Sequence, residues 1–172
     1  MRQIVLDTET TGIAHNLGHR VVEVACLELM DGKETGRVFH RHINPTVPIH
    51  PAVFEIHGLS DEFLSDKPTF DKIADEFIDF IREAELIIHN APFDVGFINH
   101  ELNMVGKGVL SDYCLGVIDT LQIAKQARPG KKNSLDALCQ DFGIDNSSRT
   151  LHGALLDVQL LASVYKVLNE DF

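Results

Sequence analysis

Apolar and polar positions change period several times along the chain, and each change marks an element. Ile4-Val5-Leu6 is an unbroken apolar run that leads into Asp7-Thr8-Glu9-Thr10-Thr11-Gly12. A run without polar alternation predicts a strand buried on both faces, and Gly12 after two threonines predicts the turn that ends it. Arg20 to Met30 and Arg37 to Ile43 predict two further strands, with Asp31-Gly32-Lys33 as the turn between them. So short a connection makes that pair antiparallel. Pro45, Pro48 and Pro51 predict a loop with short helical turns through Leu59, and Ser60-Asp61-Glu62-Phe63 a capped turn.

The pattern then becomes helical. Phe70, Ile73, Ala74, Phe77, Ile78 and Ile81 form one stripe, which predicts a helix over Thr69 to Arg82 capped by Thr69. Leu86 to His89 predicts a short buried strand, Pro92 to Val105 a helix, and Gly116 to Asp119 another strand. Helices are expected at Thr120 to Lys125, at Leu135 to Phe142 behind an Asn133 or Ser134 cap, and from about Gly153 to Leu168. A three-stranded meander followed by strands alternating with helices implies an α/β fold: a mixed sheet with helices on both faces.

Three segments place acids in apolar surroundings. Asp7 and Glu9 are two apart on a strand and therefore point to the same side. Two carboxylates crowded there repel each other and resist desolvation, which a divalent cation would relieve. Asp94 follows His89-Asn90-Ala91-Pro92-Phe93 where a strand hands over to a helix; a first-turn acid beside the helix dipole, with Asn90 as cap, would account for both residues by itself. Asp157 is harder to explain blandly. On a helical wheel Gln159, Ser163, Lys166 and Glu170 cluster on one face, and Asp157 lies opposite among Ala154, Leu160, Leu161 and Val164. No basic residue of that helix can reach it, so a distant Arg or Lys, or a metal, must balance it. His152 stands five residues earlier and is a candidate base. Four acids on three elements with one histidine suggest a two-metal site for phosphoryl chemistry, and hard oxygen ligands favour Mg²⁺ or Mn²⁺. His152 would take a proton from the attacking water.

Composition narrows the picture further. The 172 residues, 44% hydrophobic and 24% charged, suit a single domain. No apolar run is long enough to span a membrane, and the first residues do not read as a signal peptide. Cys26, Cys114 and Cys139 are odd in number and show no C-x-x-C pairing, so three free thiols and a cytoplasmic setting are expected. The net charge of −11 disfavours strong nucleic-acid binding by the chain as a whole. One exception is local: Gln122 to Ser134 carries Lys125, Arg128, Lys131 and Lys132 with no acid, a run that could meet phosphates or simply be a solvated loop.

In order and at this spacing, D-x-E-T-T-G, H-N-x-x-F-D and H-x-x-x-x-D resemble the three motifs of the DEDDh 3′→5′ exonucleases. Ala84 to Asn90, Pro129 to Leu138 and Ile144 to Ser147 extend the likeness to the epsilon-type proofreading subunits of bacterial DNA polymerase III. The resemblance implies a ribonuclease H-like fold, a single exonuclease domain over residues 1–172, and removal of nucleoside monophosphates from single-stranded or frayed DNA 3′ ends. It implies that Asp7, Glu9, Asp94 and Asp157 hold two divalent cations, Asp7 bridging them and Asp94 acting largely through water. His152 would be the general base. Thr10 would line the pocket for the terminal nucleotide, Phe93 would contact its base and His57 the substrate, with Asp7, Glu9 and Asp157 also facing it. The implied partners are a polymerase catalytic subunit, gripped through a C-terminal tail, and a small accessory subunit. Since the chain stops at Phe172, a catalytic domain without that tail is expected. One departure is Ala52, where family members often carry Glu after the proline matching Pro51.

An exoribonuclease acting on short RNA would share all five site residues; the flanking sequence favours DNA. Haloacid-dehalogenase-type phosphatases open on a strand-end D-x-D, but Glu9 and the His152/Asp157 pair argue against that class. A non-catalytic interaction subunit would become attractive only if an acid or His152 were missing, and none is.

Overall fold

β1 (Arg2–Thr10) holds the middle of the molecule. In the computed structural model, which describes residues 1–172, it is flanked by β2 (Val21–Met30) on one side and β4 (Glu85–Ile88) on the other. With β3 (Lys33–His42) and β5 (Gly116–Asp119) they form a five-stranded sheet in the order β3-β2-β1-β4-β5. β1, β2 and β3 make an antiparallel meander, while β4 runs parallel to β1 and β5 parallel to β4. The mixed sheet expected from the alternation of elements is therefore present.

Alternate residues of β1 feed two separate cores. Ile4 and Leu6 pack with α3 (Phe70–Ile81) and α4 (Ala91–Met104), whereas Val5 packs with α5 (Thr120–Ala127), α6 (Leu135–Asp141) and α7 (Ala154–Asp171). The stripe on α3 is buried in full, from Phe70 to Ile81. A buried acid ties α4 down: Glu101 accepts from the Arg20 guanidinium at 2.7–3.1 Å and from the Val21 N–H at 3.0 Å. Satisfied in this way, the carboxylate fixes α4 against the start of β2. No helix is long and apolar enough to cross a membrane, and the three cysteines are free.

Some boundaries differ from expectation for physical reasons. β3 begins at Lys33, four residues before Arg37, because Asp31 and Gly32 both take positive φ (52° and 80°). That is a two-residue hairpin turn, which leaves Lys33 already paired with Met30. The proline-rich passage contains a full helix, α1 (Pro51–His57), followed by α2 (Asp61–Leu64), which Ser60 caps through the Phe63 N–H. Thr69 precedes α3 but makes no capping bond, its hydroxyl turning to Asp71. Asn90 is likewise no ordinary cap: it sits in the left-handed region (φ 65°) and its N–H donates to Asp119. Ser134, not Asn133, caps α6.

Phe77 is fully buried between Phe39 of β3 and Phe70 of α3. Phe77→Ala should cost about 3–5 kcal/mol in urea unfolding, with unchanged metal affinity at the site described next; a cost under ~1 kcal/mol would show that this layer is not tightly packed.

Candidate active site

The acids converge where β1 ends. Asp7 and Glu9 lie on the Val5 face, opposite Ala25 and Glu23 of β2 and under the start of α7. Asp157, in the first turn of α7, is almost fully buried among the apolar residues named from the helical wheel. Carboxylate oxygens of Asp7, Glu9 and Asp157 lie within 4.8 Å of one another. Asp94 arrives from the other layer, in the first turn of α4. Thr8 points to that layer and holds Asp94 Oδ1 with its hydroxyl at 2.7 Å and its N–H at 3.1 Å. The first-turn position thus explains only part of Asp94, since its carboxylate is aimed at β1.

Burial makes these charges expensive. Desolvation, then repulsion from Asp94, Glu9 and Asp157, holds Asp7 well above the usual carboxylate range. Desolvation with repulsion from Asp157, Glu23 and Asp94 pushes Glu9 up to about 9. Asp94 is pushed up to about 7 by desolvation, against the pull of the Thr8 bonds. Only Asp157 has a protein counter-ion. Arg149, in the loop before α7, grips it with Nε to Oδ1 at 2.7 Å and Nη2 to Oδ2 at 3.0 Å, and also reaches Asp136 at 2.7 Å. The arginine balances one acid of four. Crowded, hard, charge-penalised oxygens of this kind are the donor set that a divalent cation satisfies, so the residues fit the expected metals.

His152 stands beside the acids, half-buried, its N–H bonded to Ile56 O of α1 at 2.8 Å. Desolvation, with Arg149 nearby, lowers its pKa, which favours the neutral ring. Asp7, Glu9, Asp94, Asp157, His152 and Phe93 line one cavity of about 830 Å³. Lys125, Arg128 and Lys131 line the same cavity. The basic run is therefore a wall of the cleft and not a free loop. His89 Nε2 donates to Asn133 O at 2.8 Å, and Arg128 bonds Asn133 and Lys132 O and pairs with Asp141, which pins the segment.

Thr10 and His57 sit at the turn after β1. Both are buried and neither lines the cavity. The Thr10 hydroxyl donates to Gly12 O, while His57 Nε2 donates to Thr10 O and its Nδ1 accepts from Leu59 N–H. Their polar atoms are spent on the turn after β1, which they brace from behind. Sequence reasoning missed Thr8 and Arg149. Thr8 could have been found as the residue between two same-side acids, which must face the opposite layer; Arg149 carries no pattern beyond lying eight residues before Asp157.

The sequence matches the family described as Exonuclease (RNase_T) over residues 4–165. The chain belongs to that exonuclease family. It is 53% identical over 168 residues to the DNA polymerase III subunit epsilon of Pasteurella multocida, covering 95% of this chain and 66% of that protein. To the Escherichia coli K12 epsilon subunit it is 51% identical over 170 residues, covering 95% and 70%. The chain thus spans about two-thirds of the length of these relatives. The E. coli exonuclease I structure in complex with a dT13 oligonucleotide superimposes with a TM-score of 0.84 at 17% identity, over 98% of this chain and 41% of that one, a likeness of fold.

Two outcomes follow for this exonuclease site without metal. Its raised carboxylates keep protons that the unfolded chain releases near pH ~4, so the folded state binds more protons from there up to about pH 9, the value for Glu9. Stability in chelator should therefore fall as pH rises through that window, and Glu9→Gln should flatten the slope; a melting temperature that rose from pH ~5 to ~9 would contradict it. Arg149→Met strands Asp157 and should cost roughly 3–5 kcal/mol in chelator, but distinctly less in saturating Mn²⁺. Equal losses under both conditions would mean that the cation does not take over the arginine's charge.

Proposed function

We propose that the chain is a two-metal-ion 3′→5′ exonuclease, acting as a single domain over residues 1–172, that removes nucleoside monophosphates from DNA 3′ ends and proofreads for a replicative polymerase. The observation that carries this reading is the gathering of Asp7, Glu9 and Asp157 within 4.8 Å in a cleft that also holds Asp94, His152 and a basic wall. The names of the relatives support DNA over RNA as substrate and a DNA polymerase as partner.

Asp7, Glu9, Asp94 and Asp157 would hold two Mg²⁺ or Mn²⁺ ions. Such a pair, when bound, stabilises the attacking and leaving oxygens of an in-line phosphoryl displacement. The chain's own groups supply the rest. His152, whose neutral form burial favours, takes the proton from the attacking water as the new P–O bond forms. The P–O3′ bond breaks and the departing 3′ oxygen takes up a proton from solvent, leaving a nucleoside 5′-monophosphate and a strand with a free 3′-hydroxyl. Lys125 and Lys131 offset the phosphates of the entering strand, which gives an acidic protein a local hold on a polyanion. Phe93 offers a face for the terminal base.

His152→Ala should retain Mn²⁺ binding while turnover falls roughly 10²–10⁴-fold. Asp157→Ala should lose both together. The wild-type rate should drop as pH falls through the histidine pKa at saturating metal, and the residual His152→Ala rate should lack that limb. Normal turnover by His152→Ala would remove it from the mechanism.

The terminal nucleotide has to leave its stack to enter the cleft, so frayed or single-stranded 3′ ends should be degraded faster than paired blunt ends. Equal rates on 5′-labelled duplex and single strand would refute the proofreading reading, and faster loss of matched RNA would favour the exoribonuclease.

A further inference from the structure

Behind the acids, on the same face of the sheet, lies a second group of metal-type donors that exonuclease chemistry does not use. His40 and His42 are two apart on β3 and so point the same way, and Glu23 pairs directly across from His42. The Nε2 atoms of His40 and His42 approach a single oxygen of Glu23, Oε2, at 2.6 and 3.1 Å. The three donor atoms lie within 4.8 Å of one another. Glu23 is buried, while each imidazole is about a quarter exposed (27% and 26%), so the donors open to solvent on one side only.

We propose that Glu23, His40 and His42 form a binding site for a zinc-class divalent cation, adjoining the carboxylate centre across the Glu9–Glu23 pair but sharing no ligand with it. Two imidazoles and one carboxylate, with a fourth position left to water, are a ligand set that zinc accepts. Nitrogen donors select zinc, cobalt or nickel over magnesium and calcium, so this site would not compete for the hard cations of the cleft. The donors stand on paired strands, which holds them near their final places before any ion arrives.

Glu23 is also anchored from behind. Its other oxygen, Oε1, accepts the N–H of Ala154 at 2.9 Å, the first residue of α7. An outer bond of this kind orients a ligating carboxylate. It also links the proposed ion to the helix that carries Asp157, so an ion on Oε2 would stiffen the start of α7.

The proposal is tested on protein whose catalytic metals are abolished, so that it stands or falls apart from the function proposed above. Asp7→Asn/Asp157→Asn protein would be titrated with Zn²⁺ by calorimetry and with Co²⁺ by visible absorption. One Zn²⁺ per chain and a d–d band typical of four-coordinate cobalt are expected. Adding His40→Gln/His42→Gln should abolish the band and weaken Zn²⁺ binding at least about tenfold. In the wild-type background the same pair of changes should leave Mn²⁺ binding intact. Melting in chelator checks the fold; should the pair fail to fold, His42→Gln alone, which keeps a donor toward Glu23, serves with the same expectation. No Zn²⁺ bound by the Asp7→Asn/Asp157→Asn protein, or undiminished binding after the histidine changes, overturns the proposal.

Discussion

Four carboxylates cannot all be both charged and dry within one cleft, and the surrounding structure is arranged around that conflict. Each acid receives a different partial answer. Asp94 is held by the hydroxyl and N–H of Thr8, Asp157 by the fork of Arg149, and Asp7 and Glu9 are left to repel. Partial compensation keeps the cleft open to added positive charge. A fully paired set would have been more stable alone and less able to recruit cations.

The sheet makes this conflict possible. An isolated strand would let two neighbouring acids turn to water. β1 lies between β2 and β4 with a helical layer on either side, so its side chains have fixed directions and Asp7 and Glu9 are only partly exposed. The period of two along one strand therefore decides which layer each residue serves: Asp7 and Glu9 meet α7, and Thr8 between them meets α4.

Much of this was legible in the residues, because the informative signals are periodic. The same-side placement of Asp7 and Glu9, the buried position of Asp157 and the two-layer fold all follow from periods of 2 and 3.6. Contacts that depend on how a loop closes were not legible. Arg149 reaches Asp157 by a turn that no periodicity announces, and the basic run joins the cleft because His89 holds Asn133. His57 and Thr10 show the opposite limit. Their chemistry invites a role at the substrate, yet their polar atoms are committed to the turn after β1, which only the folded chain can show.

Because Asp94 comes from one helical layer and Asp157 from the other, the site exists only when both layers are seated on the sheet. A partly folded chain can hold β1 and one layer and still lack one of the four acids. Completing the set of candidate metal donors is thereby tied to packing both faces of the sheet. A chain with one face unpacked therefore presents an incomplete donor set.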